Sequence, residues 1–367
     1  MNVSVRLDRV ARRPTEIRTP GEPWSGVERL VVARDDRLGD VILSLPAVAA
    51  LRLAYPDARL ALLVHPRIAP VARLVEGVDE VLAPASTETA SSLARFDPEL
   101  FVCISRSPRL ALAARRAGVH HTVGPGRRLW SGLFERRVSE SRRAGLRHET
   151  EYALSFAHRA GAGPGPHEAR LRLPEDAIEA VRAWRARSGL DRPFVLLHPG
   201  TGGSCPAWPL SHWVRLAAIL IERGRSVALS IGPDDDRAHA AFDRAPAAVR
   251  ALGRFGTGLV ELAALAKDAG VVVGNSTGPV HLAALMGTPT LAIHAPWPSC
   301  GPERWGPYAA NGWTATPRAA DVRWTRRRRR ALGPQLLERV EPDFVAAAVT
   351  DVAEGRAPAK GVPPASP

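Results

Sequence analysis

Apolar residues come in two long series of short clusters, each cluster followed by a stretch with a different period. Arg29-Leu30-Val31-Val32-Ala33-Arg34 is a compact apolar run of the kind a buried strand needs. Val41 to Tyr55 then sets Ile42, Leu45, Val48, Ala49 and Leu53 at helical spacing. Arg59–Val64 predicts a strand, Ile68–Val75 a helix and Asp79–Leu82 a strand, and Glu99–Ile104, Arg109–Ala117 and Val119–Val123 continue the series. A less regular stretch with Trp130 and Phe134 precedes a helix over His148–Ala160. The second series runs from a strand at Phe194–Leu197 through a helix at Ser211–Glu222, a strand at Ser226–Ile231 and a helix at Asp236–Ala245. Leu259–Ala266, Val271–Val273, Val280–Met286 and Thr290–Ile293 complete it. Strands alternating with helices predict parallel sheets covered by helices on both faces. Both halves are Rossmann-like in pattern, although neither carries G-x-G-x-x-G after its first strand.

The sharpest break is Gly161-Ala162-Gly163-Pro164-Gly165-Pro166, and 367 residues exceed what one core usually serves. The expected division is a polar, mobile extension over 1–27, an amino-terminal domain over 28–165, a carboxyl-terminal domain over 166–357 and a disordered tail over 358–367. Leu171–Leu173 and a helix at Glu175–Ser188 are assigned to the hinge region, and Leu336–Val352 to a final helix.

Composition narrows the class. No apolar run is long enough for a membrane-spanning helix, and MNVSVRLDRVARRP lacks the apolar core of a signal peptide, so the cytoplasm is expected. Cys103, Cys205 and Cys300 are odd in number and far apart, which argues for separate thiols over a disulfide framework or a metal knuckle, and no metal site is expected. The net charge of +13 invites a polyanion, but 48 of the 50 basic residues are arginine, a bias that genome composition also produces. No nucleic-acid module accompanies the charge, so an anionic acceptor, or a membrane surface carrying one, suits it as well. Arg326-Arg327-Arg328-Arg329-Arg330 reads as a solvated cluster or as a docking patch for anionic lipid or a phosphorylated glycan.

In sheets of this kind ligands collect at the carboxyl ends of strands, and three loops there are unusual. Asp35-Asp36-Arg37-Leu38-Gly39-Asp40 places a carboxylate at the mouth of the first helix; Asp40 suits an N-cap or a base that accepts a proton from a hydroxyl. His198-Pro199-Gly200-Thr201-Gly202-Gly203-Ser204-Cys205-Pro206-Ala207-Trp208-Pro209 exposes N–H groups and hydroxyls as a phosphate nest does, without the ending of a Walker loop. Gly274-Asn275-Ser276-Thr277-Gly278-Pro279 links a strand to a helix. Ser276 or Thr277 can cap that helix, Pro279 suits its first turn, and His281 can donate to an anion at its positive end. The same residues also describe a well-capped turn of no special chemistry.

Together, Gly39-Asp40 after the first strand, the small-residue loop before Trp208-Pro209, and Gly274 to His281 resemble glycosyltransferase family 9, the ADP-heptose:lipopolysaccharide heptosyltransferases and their relatives, from about Arg29 to Tyr308. The resemblance implies an α/β fold of GT-B type, two Rossmann-like domains with parallel sheets facing across a cleft. It also implies inverting, metal-independent transfer of a sugar, with ADP-heptose the favoured donor and a lipopolysaccharide-core or related anionic glycan the acceptor. By the same resemblance Asp40 is the general base. Thr277, Gly278 and His281 meet the diphosphate with Ser276, and Thr201, Gly202 and Ser204 lie in the phosphate-proximal loop. Asp234 or Asp235 meets the ribose, and Gly256 to Gly258, around Thr257, the adenine. Two positions depart: Pro206 stands where many members carry a lysine, and Ser276 where an acid is frequent. Arg304 is the candidate replacement for the missing positive charge. A cytoplasmic enzyme with peripheral contact at the inner membrane, and no nucleic-acid partner, is the expected setting. The alternatives are another GT-B enzyme such as a nucleotide-sugar epimerase, or a catalytically silent nucleotide-sugar or glycan-binding protein.

Overall fold

A parallel strand covered on both faces must be apolar on both, which is why the strands of this chain are continuous runs and not alternations. The computed structural model describes residues 3–10, 21–142, 147–190, 193–203, 205–256, 258–319 and 325–358. Its strands are β1 (Val3–Arg9), β2 (Arg29–Arg34), β3 (Arg59–Val64), β4 (Glu80–Leu82), β5 (Leu100–Cys103), β6 (His121–Pro125) and β7 (Arg136–Val138). They continue with β8 (Val195–His198), β9 (Val227–Ser230), β10 (Arg254–Phe255), β11 (Val271–Asn275), β12 (Thr290–Ile293) and β13 (Gly312–Ala319).

The chain divides into two units. One, Arg13–Arg172, holds a six-stranded parallel sheet in the order β4-β3-β2-β5-β6-β7. Leu30, Val31, Val32, Ala33, Leu100, Phe101, Val102 and Cys103 are completely buried at its centre. The helix Leu38–Ala54 packs beside the helix Glu149–Arg159 on this sheet. The other unit joins Met1–Arg12 to Leu173–Pro367 around a seven-stranded sheet ordered β1-β13-β12-β11-β8-β9-β10. Its strands are parallel except β1, which runs antiparallel along β13. Trp208, Trp213, Phe242, Leu197, Leu229 and Val273 anchor its core. Both units are α/β with parallel sheets, as the alternation predicts.

Four expectations are corrected. Residues 3–9 of the supposed extension form β1, with Val5 and Leu7 buried in the core of the second unit. Residues 21–27 are also packed: Gly21 N–H donates to His158 O at 2.9 Å, and the Arg136 guanidinium lies 3.4 Å from the centre of the Trp24 ring. The boundary between units lies beyond the Gly-Pro run. Glu76 N–H donates to Arg170 O at 3.0 Å and Arg172 N–H to Leu74 O at 2.8 Å, zipping 170–172 onto the first unit. The final helix is two helices, Arg326–Glu338 and Pro342–Ala353, because Pro342 excludes helical geometry from the residue before it and starts a new helix at its own first turn. Of the expected tail 358–367, only Pro358 is among the described residues. Among the described residues no helix is long and apolar enough to cross a membrane.

Candidate functional site

In the carboxyl-terminal unit the site is built from the loops leaving β8, β9 and β11. The β8 loop is fastened at both ends by one side chain. Asn275, at the end of β11 and buried, donates from Nδ2 to Pro199 O at 2.8 Å and accepts the Trp208 N–H on Oδ1 at 2.9 Å. Trp208 closes the loop from below: it is fully buried, crosses Trp213 edge-to-face at 4.9 Å, and donates from Nε1 to Val340 O at 2.8 Å. The backbone between Pro199 and Trp208 is thus held as an arch whose feet stand on the same amide.

Beside that arch is a cleft of about 570 Å3, lined by His198, Gly200, Thr201, Trp208, Asp234 and Asp235 among others. Its size and position at strand ends suit a nucleotide. Asp235 caps the helix Asp236–Asp243 by accepting Ala238 N–H at 3.1 Å; a Cβ placed on Gly200 would come 3.2 Å from its Oδ2. Gly200 is therefore where the loop passes close to Asp235. Asp234 is exposed on the same rim. Burial pulls the His198 imidazole down from 6.5 to about 4 against the opposing pull of Ser230 and Asp235, so the ring is neutral at physiological pH. Arg237 also lines the cleft and is exposed, a cation not singled out from the sequence.

The β11 turn adjoins the arch through Asn275. Thr277 occupies the N-cap position of the helix Gly278–Leu285, but its side chain does not cap the helix, which corrects one expectation. Its hydroxyl donates back to Asn275 O at 3.2 Å. Gly278 opens the helix and His281 is buried in its first turn, so the Thr-Gly and His of the motif lie on one end of one element. Ser276 is bound to the neighbouring strand, its N–H donating to Ile293 O at 3.2 Å.

Arg304 lies on the short helix Pro302–Trp305, buried, with its guanidinium 4.7 Å from the centre of the Trp305 ring. It is not among the residues lining the cleft. The thiol expectation is overturned here: Cys205 of the arch is joined to Cys300 in a disulfide, and Cys103 is the buried free thiol. The two cysteines are 95 residues apart in sequence, so only the fold brings them together. Gly202 sits at the exposed tip of the arch, while Ser204 and Thr257 lie outside the described residues. The arginine run opens the helix Arg326–Glu338, capped by Thr325, and Arg329 donates to Ser299 Oγ at 3.2 Å.

In the amino-terminal unit Asp40 is the third residue of the helix Leu38–Ala54, not its N-cap. Its carboxylate pairs with Arg34 at the end of β2, Nη2 to Oδ1 2.5 Å. Arg34 is buried and also meets Asp36 at 3.0 Å, Glu149 at 3.3 Å and Ile104 O at 3.1 Å. Burial opposes its charge, but the attraction of Asp40, Asp36 and Glu149 outweighs it and holds the guanidinium above its ordinary pKa. Burial likewise pushes the Asp36 carboxyl up, against the pull of Arg34. Glu149 pairs in turn with Arg142 at 3.3 Å, next to a small pocket lined by Arg106, Arg127, Arg128 and Arg142.

Known proteins resemble this chain in sequence and in fold. Residues 162–318 match the family model for glycosyltransferase family 9 (heptosyltransferase). The chain is 22% identical over 279 residues to lipopolysaccharide heptosyltransferase 3 of Escherichia coli, covering 70% of this chain and 80% of that protein. Its fold is similar to the family 9 glycosyltransferase structure from Veillonella parvula, at TM-score 0.74 and 17% identity over 89% of this chain and 97% of that one. It is also similar to ADP-heptose lipopolysaccharide heptosyltransferase II of E. coli, at TM-score 0.72 and 20% identity over 89% of this chain and 99% of that one. These matches establish the resemblance to glycosyltransferase family 9, the GT-B type of the fold and a glycosyltransferase as the class of enzyme.

Proposed function

We propose that this glycosyltransferase moves a heptose from ADP-heptose to a lipopolysaccharide-core or related anionic glycan, with inversion and without a metal ion. The observation that carries the reading is the arch held by Asn275 beside a nucleotide-sized cleft with Asp234 and Asp235 on its rim. The named specificities of the similar E. coli proteins support the donor and the acceptor class. In this reading the adenosine occupies the cleft, with an acidic side chain on the ribose, and the diphosphate meets the arch and the start of the helix Gly278–Leu285. Fixed N–H dipoles and His281 stabilise the leaving diphosphate as the anomeric carbon becomes oxocarbenium-like. Asp40, its carboxylate oriented by Arg34, takes the proton of the acceptor hydroxyl, a role worth about 10²–10⁴-fold in rate. We place the reaction in the cytoplasm, with the acceptor presented at the inner face of the membrane.

The test is ADP release by the purified chain from ADP-heptose with and without a core-oligosaccharide acceptor, with EDTA present and absent. Acceptor-dependent release that survives EDTA, with an inverted product anomer by NMR, supports the whole reading. Pro206 in the place of a lysine favours one second reading, a silent nucleotide-sugar binder, which would bind ADP and release none from the sugar.

A further inference from the structure

We propose that Cys205–Cys300 is a thiol–disulfide exchange site that sets how firmly the carboxyl-terminal unit holds a nucleotide diphosphate. The proposal rests on the donor reading above. Asn275 secures only the feet of the arch, Pro199 and Trp208. Between them, Cys205 is tied to Cys300 with the α-carbons 6.0 Å apart. Thr201 and Ala207, on either side of Cys205, both line the cleft. The other end of the tie is a braced segment. Cys300 N–H donates to Trp297 O at 2.9 Å, its carbonyl meets His294 Nδ1 at 3.2 Å, and the Trp305 indole donates to Ser299 O at 3.0 Å. Ala295, Trp297 and Cys300 form a small buried cluster against which Cys205 packs. The middle of the arch is therefore anchored covalently to a rigid neighbour.

The neighbouring residue explains why this matters. By the family resemblance, Pro206 stands where a lysine would attract a diphosphate whatever the shape of the loop. Affinity at the arch itself then depends on N–H groups and hydroxyls held in place beforehand, and preorganisation is what a cross-link supplies. Disulfides in a reducing cytoplasm are uncommon, and those that occur are usually transient, catalytic or redox-sensing. Cys205 is partly exposed and Cys300 buried, so exchange begins at Cys205. A thiolate of a small dithiol attacks its sulfur, the S–S bond breaks, and Cys300 leaves as a thiolate that takes up a proton. The second thiol of the reductant then attacks the mixed disulfide and releases Cys205, the reductant leaving as its own disulfide. Two electrons and two protons pass to the protein.

The experiment uses the full chain and ADP as the probe. Alkylation under denaturing conditions should find one reactive thiol, Cys103, before treatment with dithiothreitol and three after. Calorimetry should show ADP binding weakened by about tenfold or more on reduction and restored on reoxidation. Amide exchange over residues 198–209 should quicken in parallel. The double variant Cys205→Ser/Cys300→Ser should bind ADP as the reduced protein does and ignore dithiothreitol. Equal ADP affinity in the two thiol-counted states overturns the proposal and leaves the donor reading standing. Absence of ADP binding in both states removes the donor reading and the proposal with it. Three reactive thiols in the oxidised protein overturn the proposal at its first step.

Discussion

Arg34 approaches Asp40 to 2.5 Å from a position closed to solvent, while the Asp40 side chain keeps about a quarter of its surface open at 23%. One carboxylate oxygen is thus committed to a buried cation, fixing the side chain without enclosing it. Asp40→Asn should lower transfer by about 10²–10⁴-fold. ADP binding, measured by calorimetry, should stay at the wild-type value, because the nucleotide is assigned to the other unit.

Arg34 is the sole cation among the direct partners described for Asp40 and also meets Asp36 and Glu149. Arg34→Met should leave three carboxylates facing one another and destabilise the unit by about 3–5 kcal/mol. Arg34→Lys should recover part of that loss but not the geometry, since an ammonium cannot serve several acceptors as a planar guanidinium does. Urea unfolding compares stability. The ratio of kcat to wild type in the lysine variant, read beside an unchanged KM for the donor, tests whether orientation of Asp40 has been lost.

Asn275→Ala should release both feet of the arch and strand the buried Trp208 N–H and Pro199 carbonyl. Each unsatisfied group costs about 1–3 kcal/mol. The melting temperature should fall and ADP affinity with it. Asn275→Asp keeps the acceptor for Trp208 N–H but loses the donor to Pro199, so it should be no better than partial.

His198 and His158 are both held down from 6.5 to about 4, chiefly by burial. A depressed histidine is neutral in the fold and charged when unfolded below 6.5. The unfolded chain therefore binds more protons between about pH 4 and 6.5, and stability rises with pH through that window and is lost as pH falls through it. Urea midpoints should decline from pH 6.5 towards pH 4 and be level above. His198→Gln should reduce the slope, provided Gln retains the contact His198 Nδ1 makes with Ser230 Oγ at 3.4 Å.

What could be read from the sequence follows from the range of each signal. β2, β3, β8 and β11 were legible because strands buried on both faces must be apolar throughout, and their helices because the period changes within a few residues. Short elements such as β7, β10 and the helix Ala247–Arg250 offer too few residues for a period to register. β1 does alternate, with Val5 and Leu7 inward, but its partner strand comes near the opposite end of the chain. Of the candidate residues, Thr201, Asp234, Asp235 and the Thr277-to-His281 turn follow the strands of one unit, and Asp40 lies in the first turn of the helix after β2 in the other, positions that motif and chain order already indicate. Arg34 and Cys205–Cys300 depend on partners brought up by folding, Glu149 from a distant helix and a cysteine 95 residues away. Nothing local announces such pairs.

The antiparallel strand β1 also sets a schedule. It precedes every other described element in the sequence, yet it borders β13, which follows the whole amino-terminal unit and most of its own sheet. An early, half-apolar ribbon must wait unpaired while some three hundred residues are translated, at rates of about 5–20 per second. Its charged residues, Arg6, Asp8 and Arg9, suit that wait, since charge on an exposed ribbon discourages pairing with strangers. Changes to residues 3–9 would therefore be felt far along the chain, at the β13 edge of the seven-stranded sheet.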